Sequence, residues 1–257
     1  MREYIEHVLH NLDAGSRTPP FTVLIASLDE AYRAIIASPP KGQLVFARFM
    51  LICHKSMLGA ATLIAQRQPE DAAGISRRAA ECARVALAVK LNPSNADKWV
   101  SFQSRHDRWI KRREGGKPTY FPVRLVDLSG EPLSAELDKW IGVLSDALVH
   151  FTPEFYDSLD WEERIGSGDG GEIRLNYFHN KDREIERSVV GLAALHGTIL
   201  KVFDRCFDHG ISKNPESLAV VERFWANAKR FSDEYQRRYG VDHSPVPPPS
   251  VDTPAET

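Results

Sequence analysis

The feature that most constrains this chain is a long, almost uncharged run of residues from Gln43 to Gln68. Its only charged residues are Arg48, Lys55 and Arg67. A run of this length and composition predicts an α-helix, and a helix that is apolar almost all round is normally surrounded by other helices. An alanine-rich segment follows at once and predicts a second helix packed closely on the first. Together they indicate a helical bundle with the apolar run as its central helix.

The same run is long enough to span a bilayer, from Leu44 to Ala65, so its polar residues decide between a membrane and a protein core. Arg48, His54 and Lys55 would be costly in hydrocarbon, and the sequence contains no second segment of this kind. We therefore expect the core helix of a soluble protein, with no membrane partner.

Two further observations favour a cytoplasmic protein. Residues 1–13 lack the basic start, the apolar stretch and the cleavage site of a secretory signal. The three cysteines, Cys53, Cys82 and Cys206, lie on apolar faces of predicted helices, where a disulfide framework is not expected.

The 257 residues, of which 42% are hydrophobic, are enough to bury a substantial core. We predict one helical domain over residues 1–240 and a proline-rich, disordered tail over residues 241–257. The formal net charge is −2, whereas proteins that coat nucleic acid usually carry a basic excess. Any nucleic-acid binding by this chain must therefore depend on a local patch.

Hydrophobic periodicity, prolines and glycines divide the rest of the chain into helices. The predicted helices cover residues 2–13, 21–37, 69–91, 94–113, 134–150, 182–208 and 215–239. Residues 160–180 differ, because a glycine-rich turn separates two short segments and predicts a small hairpin or an irregular loop. The predicted fold class is all-α: a multi-helix bundle with a small irregular or β-hairpin insertion and a disordered C-terminal tail.

Three charged residues share one face of the alanine-rich helix. Arg77, Glu81 and Arg84 follow one another at spacings of four and three residues, so the glutamate can bridge both guanidinium groups. The cluster either locks this helix to a neighbour through ion pairs or presents its arginines to a phosphate-bearing ligand. The sequence leaves both interpretations open.

Asp146 and His150 lie one turn apart near the end of the helix predicted over residues 134–150. An aspartate in this position orients the imidazole and raises its basicity, which makes the pair the best acid–base candidate in the chain. The alternative is a pair that caps the helix end.

The segment from Arg105 to Arg113 combines positive charge with aromatic neighbours. Arg105, Arg108 and Arg112 form one stripe of its helix, which suits single-stranded RNA or a phosphate-bearing ligand, and the alternative is a solvated helix face.

No spacing such as Cys-x-x-Cys or His-Glu-x-x-His occurs, so we expect no metal and no other cofactor.

Two of these motifs resemble a group of mostly bacterial helical proteins related to HEPN domains. The matching residues are Arg77-Arg-Ala-Ala-Glu81 and Leu144-Ser-Asp-Ala-Leu-Val-His150, and the resemblance covers roughly residues 20–210. It implies a helical bundle that binds RNA within bacterial stress or defence systems. In HEPN domains that cut RNA, an arginine holds the scissile phosphate and a histidine transfers a proton, usually across a dimer interface.

Those ribonucleases carry arginine and histidine separated by four to six residues, and this chain has the spacing at Arg48 to His54 and at Arg174 to His179. With 33 basic residues and nine histidines, about two such spacings are expected by chance. His54 lies inside the apolar run, and the second pair lies in the predicted hairpin. We therefore assign neither pair a catalytic role.

The leading prediction is an HEPN-like cytoplasmic protein that binds RNA or a phosphate-bearing ligand. If it is an enzyme, the resemblance implies a metal-independent ribonuclease. His150 would then act as acid or base with Asp146 as its orienting group. Phosphate would be held by Arg77 and Arg84, which Glu81 would position.

The alternative prediction is a non-catalytic helical scaffold that dimerises or docks a partner through exposed apolar helix faces. The apolar seam from Ile185 to Cys206 suits either the interior of the bundle or a homodimer interface.

Overall fold

The structure is a computed structural model, and it describes residues 2–37, 43–94, 128, 130–146, 162–165, 172–175, 178 and 182–240. The described residues contain seven α-helices, which confirms the predicted all-α class. The helices are α1 (Arg2–Ser16), α2 (Ala26–Ala37), α3 (Leu44–Ala65), α4 (Pro69–Leu91), α5 (Pro132–Asp146), α6 (Asp182–Cys206) and α7 (Pro215–Tyr239).

Several helix ends follow directly from the local sequence. α4 begins with Pro69, whose missing N–H is no loss in a first turn, and continues with two acidic residues that favour the positive end of the helix dipole. The side chain of Asn214 caps α7 by accepting hydrogen bonds from the backbone N–H groups of Glu216 and Ser217. Gly240, with φ of +78°, ends the same helix.

A π-helical turn, Pro20–Ile25, leads without a break into α2. The backbone N–H of Ala26 donates to the carbonyl of Phe21, five residues earlier, which is the hydrogen bond of a π-helix. The predicted helix over residues 21–37 is therefore present, but its first turn is wider than an α-helical turn. Phe21, Leu24 and Ile25 of this π-turn are buried.

The alanines of α4 allow it to pack very closely on α3, as their number predicts. The thiol of Cys53 on α3 lies 3.5 Å from the carbonyl oxygen of Ala79 on α4. In the opposite direction, the thiol of Cys82 lies 3.6 Å from the carbonyl oxygen of Phe49. Side chains so close to a neighbouring backbone leave little space between the two helices.

The most enclosed helix is α6, whose residues from Leu192 to Leu200 are all buried. It packs on α3, α4, α5, α7 and the π-turn, and α4 in turn packs on α3 and α5. One continuous cluster of buried residues takes in the π-turn and every helix from α2 to α7. Among the described helices, α6 is therefore the central one, whereas the sequence predicted that α3 would be central. The apolar seam of α6 from Ile185 to Cys206 packs inside the bundle.

The apolar helix α3 has one face turned to solvent. Four of its large aliphatic residues are exposed: Leu44 by 61%, Leu51 by 42%, Ile52 by 38% and Leu58 by 38%. By length and composition α3 is the one described helix that qualifies as a membrane span, and 56% of its most apolar window is buried inside the protein. Burial on this scale is consistent with the core helix of a soluble protein.

Two short strands, β1 (Glu162–Ile165) and β2 (Glu172–Leu175), pair antiparallel with Glu162 opposite Leu175. The glycine-rich residues 166–171 between them lie outside the described residues, so the hairpin insertion over residues 160–180 stays a prediction. Of the helix predicted over residues 94–113 only Ser94 is described, and the tail over residues 241–257 lies outside the described part of the chain.

The close approach of α6 and α7 gives a first prediction, since a Cβ on Gly197 would lie 2.2 Å from Cη2 of Trp225. We expect Gly197→Ala to destabilise the protein by about 1–3 kcal/mol, because the indole must leave its position. The measurement is urea unfolding followed by tryptophan fluorescence, which also reports the displaced indole.

The matched control is Gly74→Ala on α4, where a Cβ would meet nothing within 4 Å. This substitution should stabilise the protein by about 0.5–1 kcal/mol, because alanine is the better helix former. Equal effects of the two substitutions would contradict the proposed packing of α6 against Trp225.

Candidate functional site

The exposed side of α3 carries a stripe of aliphatic and cationic residues, which we call the α3 outer face. It consists of Leu44, Arg48, Leu51, Ile52, Lys55 and Leu58. At 100° per residue these positions fall within a sector of about 120°, and the stripe is about 21 Å long. The three leucines recur every seven residues, the spacing by which one helix packs along another.

The two cations of the outer face have no ion-pair partner among the residues that the structure describes. Arg48 and Lys55 are both exposed, and no ion pair involves either of them within the described part of the chain. α3 itself contains no aspartate or glutamate. The outer face therefore combines uncovered apolar surface with an uncompensated charge of +2.

The sequence contained a signal for this face that the apolar composition of the run concealed. The two charged residues inside the helix, Arg48 and Lys55, are seven residues apart and thus lie on one side. Charged side chains are almost never fully buried unless paired, so they mark the side of the helix that meets solvent. The leucines at 44, 51 and 58 share that side.

The predicted charge cluster on α4 is divided between two contacts. Nε of Arg77 lies 2.9 Å from Oε1 of Glu81, as the spacing predicts, and both side chains are partly exposed. Nε of Arg84 lies 2.8 Å from Oδ1 of Asp138 on α5. The Arg84 side chain is only 11% exposed, so this pair ties α4 to α5 and favours the structural interpretation of the cluster.

Most other predicted site residues lie outside the described part of the chain. This applies to His150, Arg105, Arg108 and Arg112, and the side chain of Asp146 is likewise not described. Their convergence with the arginines of α4 stays a prediction. Arg174 has a described backbone in β2, whereas His179 lies outside the described residues.

The described residues separate the other arginine and histidine pair. Arg48 lies on the exposed side of α3, whereas His54 is buried on another side of the same helix. His54 forms a hydrogen bond of 2.7 Å between its Nε2 and Oδ1 of Asp29 on α2. It therefore fills the core as a bonded histidine, and the two side chains do not converge on one site.

A buried polar network links α2, α3 and α6. The Tyr32 ring stacks on the His54 ring, with centroids 5.0 Å apart, and the Tyr32 hydroxyl lies 2.7 Å from Nδ1 of His196. Asp29 also pairs with Arg33 at 2.8 Å. Burial opposes ionisation of the Asp29 carboxyl, but hydrogen bonds from Arg33 and His54 lower its pKa overall.

The protonation states in this network follow from its burial. Burial, helped by the nearby His54, lowers the pKa of His196 to about 3, and burial raises the pKa of Tyr32 well above its usual value. Both groups are neutral at pH 7, so the hydrogen bond between the Tyr32 hydroxyl and Nδ1 of His196 joins two uncharged partners. Nε2 of His196 has no hydrogen-bond partner among the described residues.

Two of the three cysteines, Cys53 and Cys206, are poor candidates for a nucleophile. Cys53 and Cys206 are buried, and Cys82 is partly buried. Burial raises the pKa of Cys206 to about 12, and burial together with the neighbouring Cys82 raises that of Cys53 well above its usual value. A thiol that stays protonated at neutral pH is unreactive.

Among the described residues, no group of three or more His, Cys, Asp or Glu side chains is placed to hold a metal ion.

Comparison of the chain with protein-family models, with curated proteins and with solved structures gives no match. The relationship to HEPN domains therefore stays a prediction that rests on the two sequence motifs.

The neutral state of His196 gives a second prediction, on stability. Folding lowers the pKa of His196 from 6.5 to about 3. Between these two pH values the imidazole is therefore protonated in the unfolded chain and neutral in the folded chain. The stability that depends on neutral His196 is complete above pH 6.5 and is lost as the pH falls toward 3. Between about pH 7 and pH 4, wild type should lose about 3 kcal/mol more than His196→Gln in urea unfolding.

The control is Tyr32→Phe, which leaves His196 buried and should keep the pH dependence. NMR of the imidazole nitrogens provides a direct readout that does not depend on the stability of any variant. A His196 that titrates near pH 6.5 in the folded protein would contradict the prediction.

Proposed function

We propose that this chain is a non-catalytic helical module that docks a partner protein through the α3 outer face. The occupant is an amphipathic helix with apolar residues in heptad spacing and acidic residues beside them. The observation that carries this proposal is the stripe of exposed leucines in heptad spacing with Arg48 and Lys55 beside them. The proposal develops the scaffold interpretation of the sequence.

The apolar part of the outer face supplies the affinity. Full burial of an exposed leucine or isoleucine side chain contributes about 1.5–3 kcal/mol, and covering the 38–61% of these side chains that is exposed contributes a corresponding fraction. A helix laid along α3 would cover Leu44, Leu51 and Leu58 together, because their spacing matches that of a facing helix. A few well-buried side chains of this kind commonly carry most of the binding energy of an interface.

The cationic part supplies selectivity. Glutamate or aspartate beside the apolar positions of the partner would face Arg48 and Lys55, whereas lysine in those places would be repelled. Each exposed pair contributes only about 0.2–1 kcal/mol, so charge selects the partner more than it holds it. The same reasoning disfavours symmetric pairing of two α3 outer faces, because both would carry +2.

A protein helix suits this face better than a lipid surface. Adsorption to anionic lipid depends on a concentration of positive charge, and the whole chain has a formal net charge of −2. A heptad repeat of leucines has no special value on a membrane, whereas it matches the contact spacing of a second helix.

The test uses two synthetic helical peptides of about 20 residues with the same heptad leucines. One peptide carries glutamate beside the leucines, and the other carries lysine in the same places. Fluorescence anisotropy should show that the wild-type protein binds the glutamate peptide about tenfold more tightly than the lysine peptide. The double variant Arg48→Glu/Lys55→Glu should reverse this preference.

Two serine variants control for the location of the site. Leu51→Ser/Leu58→Ser should abolish binding of the glutamate peptide, whereas Ile5→Ser/Leu9→Ser, which removes exposed apolar residues from α1, should not change it. The proposal fails if the protein does not distinguish the peptides, if charge reversal leaves the preference unchanged, or if anionic vesicles bind and the glutamate peptide does not.

The hypothesis of RNA binding stays a separate prediction, because His150 and the arginines at 105, 108 and 112 lie outside the described part of the chain. On that hypothesis a metal-free, mixed single-stranded RNA pool is bound in a salt-sensitive manner, and Arg105→Ser/Arg108→Ser/Arg112→Ser lowers the salt slope by about two. Cleavage that is lost in a folded His150→Ala variant would identify a ribonuclease. Absence of both cleavage and salt-sensitive binding in wild type would refute the hypothesis.

A further inference from the structure

Two cysteines, one on each helix, lie in the close interface between α3 and α4. The thiol of Cys53 crosses from α3 to the carbonyl oxygen of Ala79 on α4. The thiol of Cys82 crosses from α4 to the carbonyl oxygen of Phe49 on α3. Both thiols are free, so the interface contains two reduced sulfur atoms that reach across it in opposite directions.

The two carbonyl groups show that these contacts lie at the same level of the bundle. In an α-helix the carbonyl of one residue accepts from the backbone N–H four residues later, so the carbonyl of Phe49 is bonded to the N–H of Cys53. The thiol of Cys82 therefore touches the turn of α3 that ends at Cys53. The carbonyl of Ala79 is bonded in the same way to Ala83, so the thiol of Cys53 touches the turn of α4 that contains Cys82.

The directions of the two side chains bring the sulfur atoms together. α3 and α4 are joined by only three residues, 66–68, and therefore run antiparallel. Side chains on an α-helix lean toward its N-terminus, so Cys53 and Cys82 lean toward each other along the interface. Burial, and after it a hydrogen bond with the Cys82 thiol, raises the pKa of Cys53 well above its usual value. The two thiols are thus direct neighbours.

The contacts beside the thiols hold the two helices in register. Nη2 of Arg78 on α4 lies 3.3 Å from the hydroxyl oxygen of Ser56 on α3, one turn from Cys53. A Cβ on Gly59, a further turn along α3, would lie 3.6 Å from Cδ1 of Ile75. Contacts of this kind fix the distance between the helices, and a disulfide bond needs a distance that is fixed within narrow limits.

The two cysteines differ in their burial. Cys53 is completely buried, whereas Cys82 is partly exposed. A small oxidant that comes from solvent therefore meets Cys82 first. Cys53 lies behind it, in the position of the second thiol that completes a disulfide bond.

We propose that Cys53 and Cys82 form a redox-sensitive pair, in which a peroxide converts the two neighbouring thiols into a disulfide bond between α3 and α4. The oxidant is hydrogen peroxide or another peroxide from solvent. Cys53 faces α4 and not the α3 outer face, so this proposal and the docking proposal can fail independently.

The reaction has two steps. The thiolate of Cys82 attacks one oxygen of hydrogen peroxide and the O–O bond breaks, which leaves a sulfenic acid on Cys82 and a hydroxide that takes up the proton released by the thiol. Sγ of Cys53 then attacks Sγ of Cys82 and the S–O bond breaks. The departing hydroxide takes the proton of the Cys53 thiol and leaves as water. Two thiols are oxidised to one disulfide bond, and one peroxide is reduced to two water molecules.

The bond would close a loop of about 30 residues between the two helices. Such a loop restricts the unfolded chain, so the oxidised protein should melt about 5–10 °C above the reduced protein. The raised pKa of Cys53 slows the second step, because the thiolate is the attacking species. Oxidation should therefore proceed faster at pH 9 than at pH 7.

The test treats the full, folded chain with hydrogen peroxide, blocks the remaining thiols with N-ethylmaleimide in urea, and digests the unreduced protein with trypsin. The three cysteines fall on separate tryptic peptides, over residues 49–55, 79–84 and 206–213, so mass spectrometry identifies every possible pairing. We expect a cross-link between peptides 49–55 and 79–84 that dithiothreitol removes.

The matched control is the double variant Cys82→Ala/Glu81→Cys, which moves the second thiol by one position. It keeps nearly the same loop length and the same tryptic sites, but it turns the thiol by about 100° around α4. In the folded protein this variant should cross-link about tenfold less than wild type, because the two thiols no longer face each other. In urea the two proteins should cross-link equally.

Cys53→Ala tests the order of the two steps. Without its partner, Cys82 should stop at the sulfenic acid, which dimedone labels and mass spectrometry detects on peptide 79–84.

Four outcomes would overturn the proposal: no cross-link between peptides 49–55 and 79–84 in the folded wild type, equal cross-linking of the folded control variant, a melting temperature of the oxidised protein at or below that of the reduced protein, or no dimedone label on Cys82 in Cys53→Ala.

Discussion

The enclosure of α6 is the constraint on which the rest of the bundle depends. A helix that is buried on every side over nine residues, Leu192 to Leu200, needs neighbours all round it, and α3, α4, α5, α7 and the π-turn supply them. Because residue 197 is a glycine, no side chain occupies the space in which the indole of Trp225 lies against the backbone of α6. His196 places a polar ring in the same stretch, and this ring is tolerable because it is neutral and bonded to Tyr32. The position of α2 is thereby fixed by a hydrogen bond as well as by packing.

The polar contacts of the interior and of the surface have different purposes. Inside, Asp29, His54, Tyr32 and His196 connect three helices through specific geometry, which favours one arrangement of the bundle over others of similar apolar content. Among the described residues this network is not part of any cluster of three or more potential metal ligands, and its members Tyr32 and His196 are fully buried. At the surface, Arg48 and Lys55 of α3 form no ion pair with any residue that the structure describes. Because the buried histidines are already bonded within the bundle, the exposed side of α3 is the surface that offers groups to a partner.

The sequence predicted the helices better than it predicted their neighbours. The bounds of α4 and α7 follow from Pro69, Pro215 and Gly240, which act locally. The central position of α6 could not be predicted in this way, because hydrophobic periodicity describes one helix at a time. By composition, α3 is more apolar than α6 and was the better candidate for the central helix. The pair of Arg77 with Glu81 was predictable from a spacing of four residues, whereas the partner of Arg84, Asp138, is 54 positions away.

The π-turn at Pro20–Ile25 constrains how this chain can change in length. A π-turn accommodates one more residue than the α-helical turn it replaces, so deletion of a single residue there would narrow the turn and shorten the connection between α1 and α2. α1 has little room to move in response, because a Cβ on Gly15 would lie 2.6 Å from the carbonyl oxygen of Ala65. The segment that joins α1 to α2 is therefore a place where related sequences should keep the same number of residues even where their identities diverge.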